Sequence, residues 1–185
     1  MKRKLLILLV CVVLLAVISA GTVAYFSSEG TAHNVITTGG VNIALHEWAN
    51  AEKTQEFEDL DGIMPGTSVT KIVEIENTGK SDAWIRVSVE KAIELAGNEQ
   101  NPDLDIITLD INTASWTLKE DGYLYYNSRV KPGEITAPVF TTVSFDSDME
   151  NKYQSAEVTV KVVAQAVQCA NNGTTVFEAQ GWGAE

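Results

Sequence analysis

Six stretches of this chain alternate apolar and polar residues with a period of two. Val41, Ile43 and Leu45 share one face of the first. Val69, Lys71, Val73 and Ile75 follow. Ile85, Val87 and Val89 alternate with Trp84, Arg86, Ser88 and Glu90. Ile107, Leu109 and Ile111 alternate with Thr108 and Asp110. Val139, Thr141, Val143 and Phe145 make another face, and Val158, Val160, Val162, Ala164 and Ala166 the longest. A period of two puts one face of each segment in a core and the other in water, as in antiparallel sheets. β-Branched residues dominate the buried faces, which suits a pleated surface.

Turn chemistry falls between these runs. Pro65-Gly66 and Pro132-Gly133 precede strands, Asn77-Thr78-Gly79 closes one, and Asp121-Gly122 separates Trp116-Thr117-Leu118 from Tyr123-Leu124-Tyr125 as a hairpin signal. Helix is expected only as one or two short insertions, Glu90–Ala96 and Asp148–Gln154, the latter with Asp148 as N-cap. Residues 97–105 read as a loop. The fold class is therefore all-β, an antiparallel β-sandwich of jelly-roll type.

The N-terminus sets the compartment. Lys2, Arg3 and Lys4 precede the uninterrupted apolar run Leu5–Ile18, and small residues follow. This is the three-part secretory signal, with Thr22 and Ala24 at the −3 and −1 positions and Tyr25 as the first mature residue. A retained anchor is the rival reading, because Leu5–Ala24 is just long enough to span a bilayer. The expected organisation is a signal peptide over 1–24, an N-terminal arm over 25–40 and a sandwich domain over 41–185. A secreted protein, free of the membrane after cleavage, follows.

Charge narrows the partners. The chain has 13 Lys+Arg against 25 Asp+Glu. Loss of Lys2, Arg3 and Lys4 leaves 10 cations against the same 25 acids. Nucleic acid and anionic lipid both require basic patches, so neither is an expected partner. Cys11 lies inside the signal and Cys169 stands alone, either as an unreactive thiol or as an intermolecular link. Asn172-Gly173-Thr174 matches a glycosylation sequon.

Catalytic constellations are scarce. The histidines are His33 and His46, and Asn50 occupies the position where a helical zinc motif starting at His46 needs its second histidine. His46 reads as a polar strand-end residue. No Gly-x-Ser-x-Gly elbow or Gly-rich phosphate loop occurs. Paired carboxylates do occur at Glu56/Glu58, Asp59/Asp61, Asp103/Asp105 and Asp146/Asp148 with Glu150. Such pairs offer oxygen ligands to Ca²⁺ or form solvated loops. No catalytic, cofactor or metal residue is assigned, and the chain is expected not to be an enzyme. Trp84, Trp116, Tyr123, Tyr125, Tyr126 and Trp182 suit a core, a subunit contact or a ligand face.

Several motifs carry a resemblance. Gly21-Thr22-Val23-Ala24-Tyr25-Phe26-Ser27 leads through Asn34-Val35-Ile36-Thr37-Thr38-Gly39-Gly40-Val41 into the first strand. Met64-Pro65-Gly66 with its strand to Gly79, Trp84–Val89, and Asn151-Lys152-Tyr153-Gln154 with the Val-rich strand to Gln168 follow in order. Together they resemble the TasA/camelysin (CalY) family of Gram-positive exported proteins. The resemblance implies a jelly roll, processing by a SipW-type signal peptidase, and a structural role in fibres of the biofilm matrix or cell surface. It further implies self-assembly, alone or with related matrix subunits, by donor-strand exchange through the arm. Phe26, Val35 and Ile36 would be the inserted residues. The camelysin branch is classed as metallopeptidase, and no zinc-ligand motif here matches that activity. A monomeric extracellular binding module and a secreted metallopeptidase are the alternative readings.

Overall fold

The computed structural model describes residues 34–37, 41–58, 64–95, 102–150, 153 and 156–183. The chain divides into two compact units, Met1–Ala32 and His33–Glu185, and every described residue belongs to the second.

Among the described residues ten strands form a sandwich: β1 (Asn34–Thr37), β2 (Ile43–Trp48), β3 (Ser68–Thr70), β4 (Ile72–Asn77), β5 (Ala83–Glu94), β6 (Ile107–Leu109), β7 (Trp116–Leu118), β8 (Leu124–Tyr126), β9 (Thr142–Phe145) and β10 (Glu157–Gln168). One layer is a five-stranded sheet in the order β1-β10-β5-β8-β7. The other holds the pair β2-β4 and the three-stranded sheet β3-β9-β6. An irregular segment bonds to β4: Gly133 and Val139 donate to Asn77 and Val73, and Val73 and Lys71 donate back to Phe140 and Thr141. The chain then enters β9, so the predicted strand from Val139 is divided between the two small sheets.

The period-two faces meet in one core. Ile85 and Val87 of β5 and Val158, Val160, Val162 and Ala164 of β10 face Ile43, Leu45, Val73, Ile75, Phe140, Val143 and Phe145. β5 and β10 supply the longest ladder, antiparallel over all twelve residues of each. Turn signals sit where the sequence placed them. Gly66 has φ +71°, which Pro65-Gly66 requires as a tight turn. The Asp121-Gly122 turn joins β7 to β8 as an antiparallel hairpin. Gly79 has a different reason: a Cβ there would lie 2.9 Å from the Asn42 amide nitrogen. Asn77, fully buried, fixes this corner by donating from Nδ2 to the Ser81 and Val130 carbonyls and accepting from Gly79 N–H.

Of the two expected helical insertions, the first is strand. Glu90–Glu94 continues β5, with Glu90 opposite Lys161 and Lys91 opposite Val160. Its Glu-Lys-Ala-Ile-Glu composition favours helix locally, but pairing along β10 overrides that preference. The second, Asp148–Gln154, is described in part: Tyr153 is in 3-10 conformation, its amide donating to the Glu150 carbonyl at 3.1 Å, while residues 151, 152 and 154 lie outside the described residues, and Asp148 shows no cap among the residues described. It lies in a turn whose amide is held by Asp146 Oδ1 at 2.8 Å. Further 3-10 turns are described at Leu104–Ile106, inside the stretch read as loop, and at Val176–Glu178.

Candidate functional site at the arm-bearing edge

β1 is the outermost strand of the five-stranded sheet and is the one parallel member of the described ladders. Its register sets Asn34, Val35, Ile36 and Thr37 against Val163, Ala164, Gln165 and Ala166 of β10. Val35 and Ile36 of the expected arm are thus seated in the chain's own sheet. Thr22, Ala24, Tyr25 and Phe26 lie outside the described residues, as does His33. Among the described residues β10 pairs over twelve residues with β5 and over four with β1.

Next along β10, the sandwich holds a buried charge cluster. Lys71 follows β3 and shares the parity of Val73 and Ile75, so its side chain enters the core side, where it is 3% exposed. Its ammonium lies 3.2 Å from Glu47 Oε1 and donates to the Val160 carbonyl of β10 at 3.0 Å. The ring of Phe57 covers it at 4.3 Å. The acidic loop after β2 brings that ring in, because Phe57 N–H donates to the Glu47 carbonyl. Sequence reading missed this cluster, yet the signal was present: Lys71 interrupts an apolar face, and Glu47 continues the face of Ile43 and Leu45.

The potential metal donors are committed elsewhere. His46 lies within β2 rather than at its end, stacked on Trp48 with centroids 5.6 Å apart, and its Nε2 is 2.9 Å from Glu76. Glu74 is paired with Lys53 at 2.7 Å. Asp103 Oδ1 accepts from the Asp105 amide, and Asp146 does the same for Asp148, so these carboxylate pairs build turns. Among the described residues no three His, Cys, Asp or Glu converge to hold a metal ion. Asp59 and Asp61 lie outside them.

The aromatic residues divide between two sites. Trp116 and Tyr126 pack in the core with centroids 4.9 Å apart. Trp84, Tyr123, Tyr125 and Trp182 instead form a second cluster with Val167, Cys169, Val176 and Ala179, where the C-terminal segment covers the outer face of the five-stranded sheet. Arg86 is its hub. Its guanidinium lies 3.7 Å from the Tyr123 ring and 4.7 Å from Trp182, and it donates to Gln165 and to the Tyr125 hydroxyl. Burial pushes Asp121 up, but hydrogen bonds from the Tyr125 hydroxyl and Tyr123 amide, with the Arg86 charge, outweigh it and leave the carboxyl below its usual range. Asn172 of the sequon is structural: its side chain holds Gln180 through both amide groups and its carbonyl accepts from Trp84.

Cys169 is buried in this second cluster. Burial pushes its thiol up to about 11, with Arg129 opposing and Asp82 adding to the shift. Little thiolate exists at neutral pH, so the unreactive alternative is favoured. Native protein at pH 8 is expected to react with a disulfide reagent about a hundredfold more slowly than protein in urea, in proportion to lost thiolate and access. Disulfide-linked dimers on non-reducing gels would contradict this.

The comparisons with known proteins give one match. The family model described as camelysin metallo-endopeptidase matches residues 1–123. No curated protein and no solved structure matches the chain. The match spans β1, β2, the Lys71–Glu47 cluster, β5 and the start of the Asp121-Gly122 turn, and it covers the motifs that carry the resemblance up to Val89. By that match the chain belongs to the camelysin metallo-endopeptidase family, which is the TasA/camelysin family.

Proposed function

We propose that this chain is an exported structural subunit of the cell surface or extracellular matrix, which assembles into fibres by exchanging its arm, residues 25–40, between copies. Family membership supports a secreted protein of Gram-positive type. The observation that carries the assembly reading is the seat of β1. It is a parallel, outermost strand of the sheet. Parallel pairing is slightly weaker per residue than antiparallel pairing. β1 is thus the strand most easily detached, while β10 stays fixed by β5. An arm that leaves its own β10 and pairs with a neighbour's regains the same main-chain bonds. Exchange therefore costs little, and head-to-tail exchange that does not close propagates as a filament.

Processing between Ala24 and Tyr25 by a SipW-type signal peptidase would free the end of the arm and permit the exchange. The high negative charge opposes premature contact until salt or concentration overcomes it. The described donor side chains do not fit the metal of a metallo-endopeptidase, since His46, Glu74 and Glu47 are each held by another side chain.

The test compares chains starting at Tyr25 and at Val41 by electron microscopy and sedimentation. Fibres are expected from the first and none from the second, with the same melting transition for both. Fibres from the shorter chain, or a longer chain that stays monomeric at high concentration, would overturn the proposal. Casein hydrolysis abolished by a chelator would instead support a peptidase.

A further inference from the structure

We propose that Asn172-Gly173 is a self-modifying site: the Asn172 side chain deamidates slowly through attack by the Gly173 backbone nitrogen, and the product unclamps the C-terminal strap, residues 170–183, from the outer face of the five-stranded sheet.

This is the one Asn-Gly step in the chain. The residue after an asparagine sets how readily its backbone nitrogen reaches the side-chain carbonyl, and glycine, with no Cβ, obstructs it least. The fold demands glycine at 173. Gly173 has φ +76°, and a Cβ there would lie 2.9 Å from Glu178 Cβ and 3.1 Å from the Thr175 carbonyl oxygen. Asn172 is equally committed. Its Oδ1 accepts from the Gln180 N–H at 2.8 Å and its Nδ2 donates to the Gln180 carbonyl at 2.9 Å, so one amide side chain closes the strap into a loop. Its own carbonyl accepts from Trp84 Nε1 at 3.0 Å. An asparagine presents a donor and an acceptor side by side, whereas an ionised aspartate presents acceptors alone. Local packing therefore requires both members of a labile dipeptide.

The step balances with water as the only co-reactant. The Gly173 nitrogen gives its proton to solvent base and bonds to Asn172 Cγ. The Cγ–Nδ2 bond breaks, and Nδ2 takes up a proton and leaves as ammonia. The resulting cyclic imide takes up one water. Opening at Cγ leaves an aspartyl residue on the original main chain. Opening at the backbone carbonyl leaves an isoaspartyl link through Cγ. The aspartyl product sets a carboxylate oxygen against the Gln180 carbonyl with no hydrogen between them, which costs more than a lost bond. The isoaspartyl product lengthens the main chain by one carbon where Gly173 already lies tight against Glu178.

The strap sets the rate and receives the effect. Both Gln180 bonds hold the Asn172 amide in place, so ring closure requires local opening of the strap. Trp182 latches it, with its ring 4.7 Å from the Arg86 guanidinium and edge-on to Tyr125 at 5.9 Å. Gln165, fully buried, adds a bond to the Gly183 carbonyl at 3.3 Å. Release uncovers Trp84, Tyr125 and Val167, which are buried under the strap.

The experiment uses the chain from Tyr25, which contains the compact unit His33–Glu185 whole. It is held at pH 8 and sampled by peptide mapping. Asn172 is expected to convert ahead of the other asparagines, to mixed aspartyl and isoaspartyl products. Conversion in folded protein is expected to be about tenfold slower than in urea, because opening breaks two hydrogen bonds. W182A removes the latch and is expected to raise the folded rate by about tenfold. E178A, which releases the Thr174 and Thr175 amides, must also raise it and serves if W182A does not fold. N172D supplies the product directly, and its Glu178 and Ala179 amides are expected to exchange about tenfold faster than in wild type. An Asn172 that stays an amide in wild type, W182A and E178A alike would overturn the site. Equal conversion in folded and unfolded chains, or N172D with wild-type exchange, would overturn its link to the strap.

Discussion

Replacing Lys71 alone with methionine lowers the unfolding free energy by about 3–5 kcal/mol, whereas the pair K71M/E47Q recovers most of that loss. The asymmetry follows from what each change leaves behind. The lysine carries an ion pair, a hydrogen bond to β10 and a ring contact, all at a site from which water is nearly excluded. Methionine fills nearly the same volume, so the packing against Phe57 survives. What does not survive is compensation for Glu47, a carboxylate that remains buried with its cation gone. Converting Glu47 to glutamine removes that charge and leaves a neutral amide, a much smaller desolvation cost. The contrast is measured by urea denaturation of the three proteins at constant pH. Equal losses for the single and the double variant would mean that packing, not charge, makes Lys71 necessary. Because a domain of this size is stable by roughly 5–15 kcal/mol, the single variant sits near the margin while the double variant does not.

The same residue shows how far the sequence could be read. The runs ending at Ile75, Val89 and Ala166 revealed strands because both faces were regular, and Pro65-Gly66 and Asp121-Gly122 revealed turns because backbone chemistry there is local. Lys71 and Glu47 were visible only as violations of that regularity, and their meaning needed the opposite layer, 89 residues away in sequence at Val160. β1 posed a similar difficulty. Its four residues carry no sign that their partner is the penultimate structured segment, nor that the pairing is parallel. Glu90–Glu94 went wrong for the converse reason, a helical composition placed where β10 offered a complete ladder. The second cluster escaped because a short irregular tail has no period, so Trp182 over Arg86 could be seen as an aromatic but not as a cover for the outer face.

A second large effect is expected at Trp116, and it shows how the two layers depend on each other. Trp116→Ala is expected to cost about 3–5 kcal/mol from the cavity alone. The indole is 1% exposed, and its Nε1–H donates to the Ala137 carbonyl at 3.1 Å. Ala137 N–H in turn donates to the Tyr126 hydroxyl at 3.2 Å. Two side chains from the β7-β8 hairpin therefore hold both backbone polar groups of one residue, Ala137, in the irregular segment, and that segment is bonded to β4 on its far side. W116A leaves the Ala137 carbonyl without this donor, adding about 1–3 kcal/mol. W116F keeps most of the ring volume and loses chiefly the donor, so it should cost only about 1–3 kcal/mol. Y126F removes the acceptor for Ala137 N–H, and because it acts on the same residue, and the two rings touch, its effect with W116F should be non-additive by about 0.5 kcal/mol or more. Chemical denaturation of the four proteins measures this coupling. Additive losses would mean that the hairpin and the irregular segment are held by packing alone. A measured coupling would mean that the hairpin at the far side of the five-stranded sheet helps fix the layer from which Lys71 reaches β10.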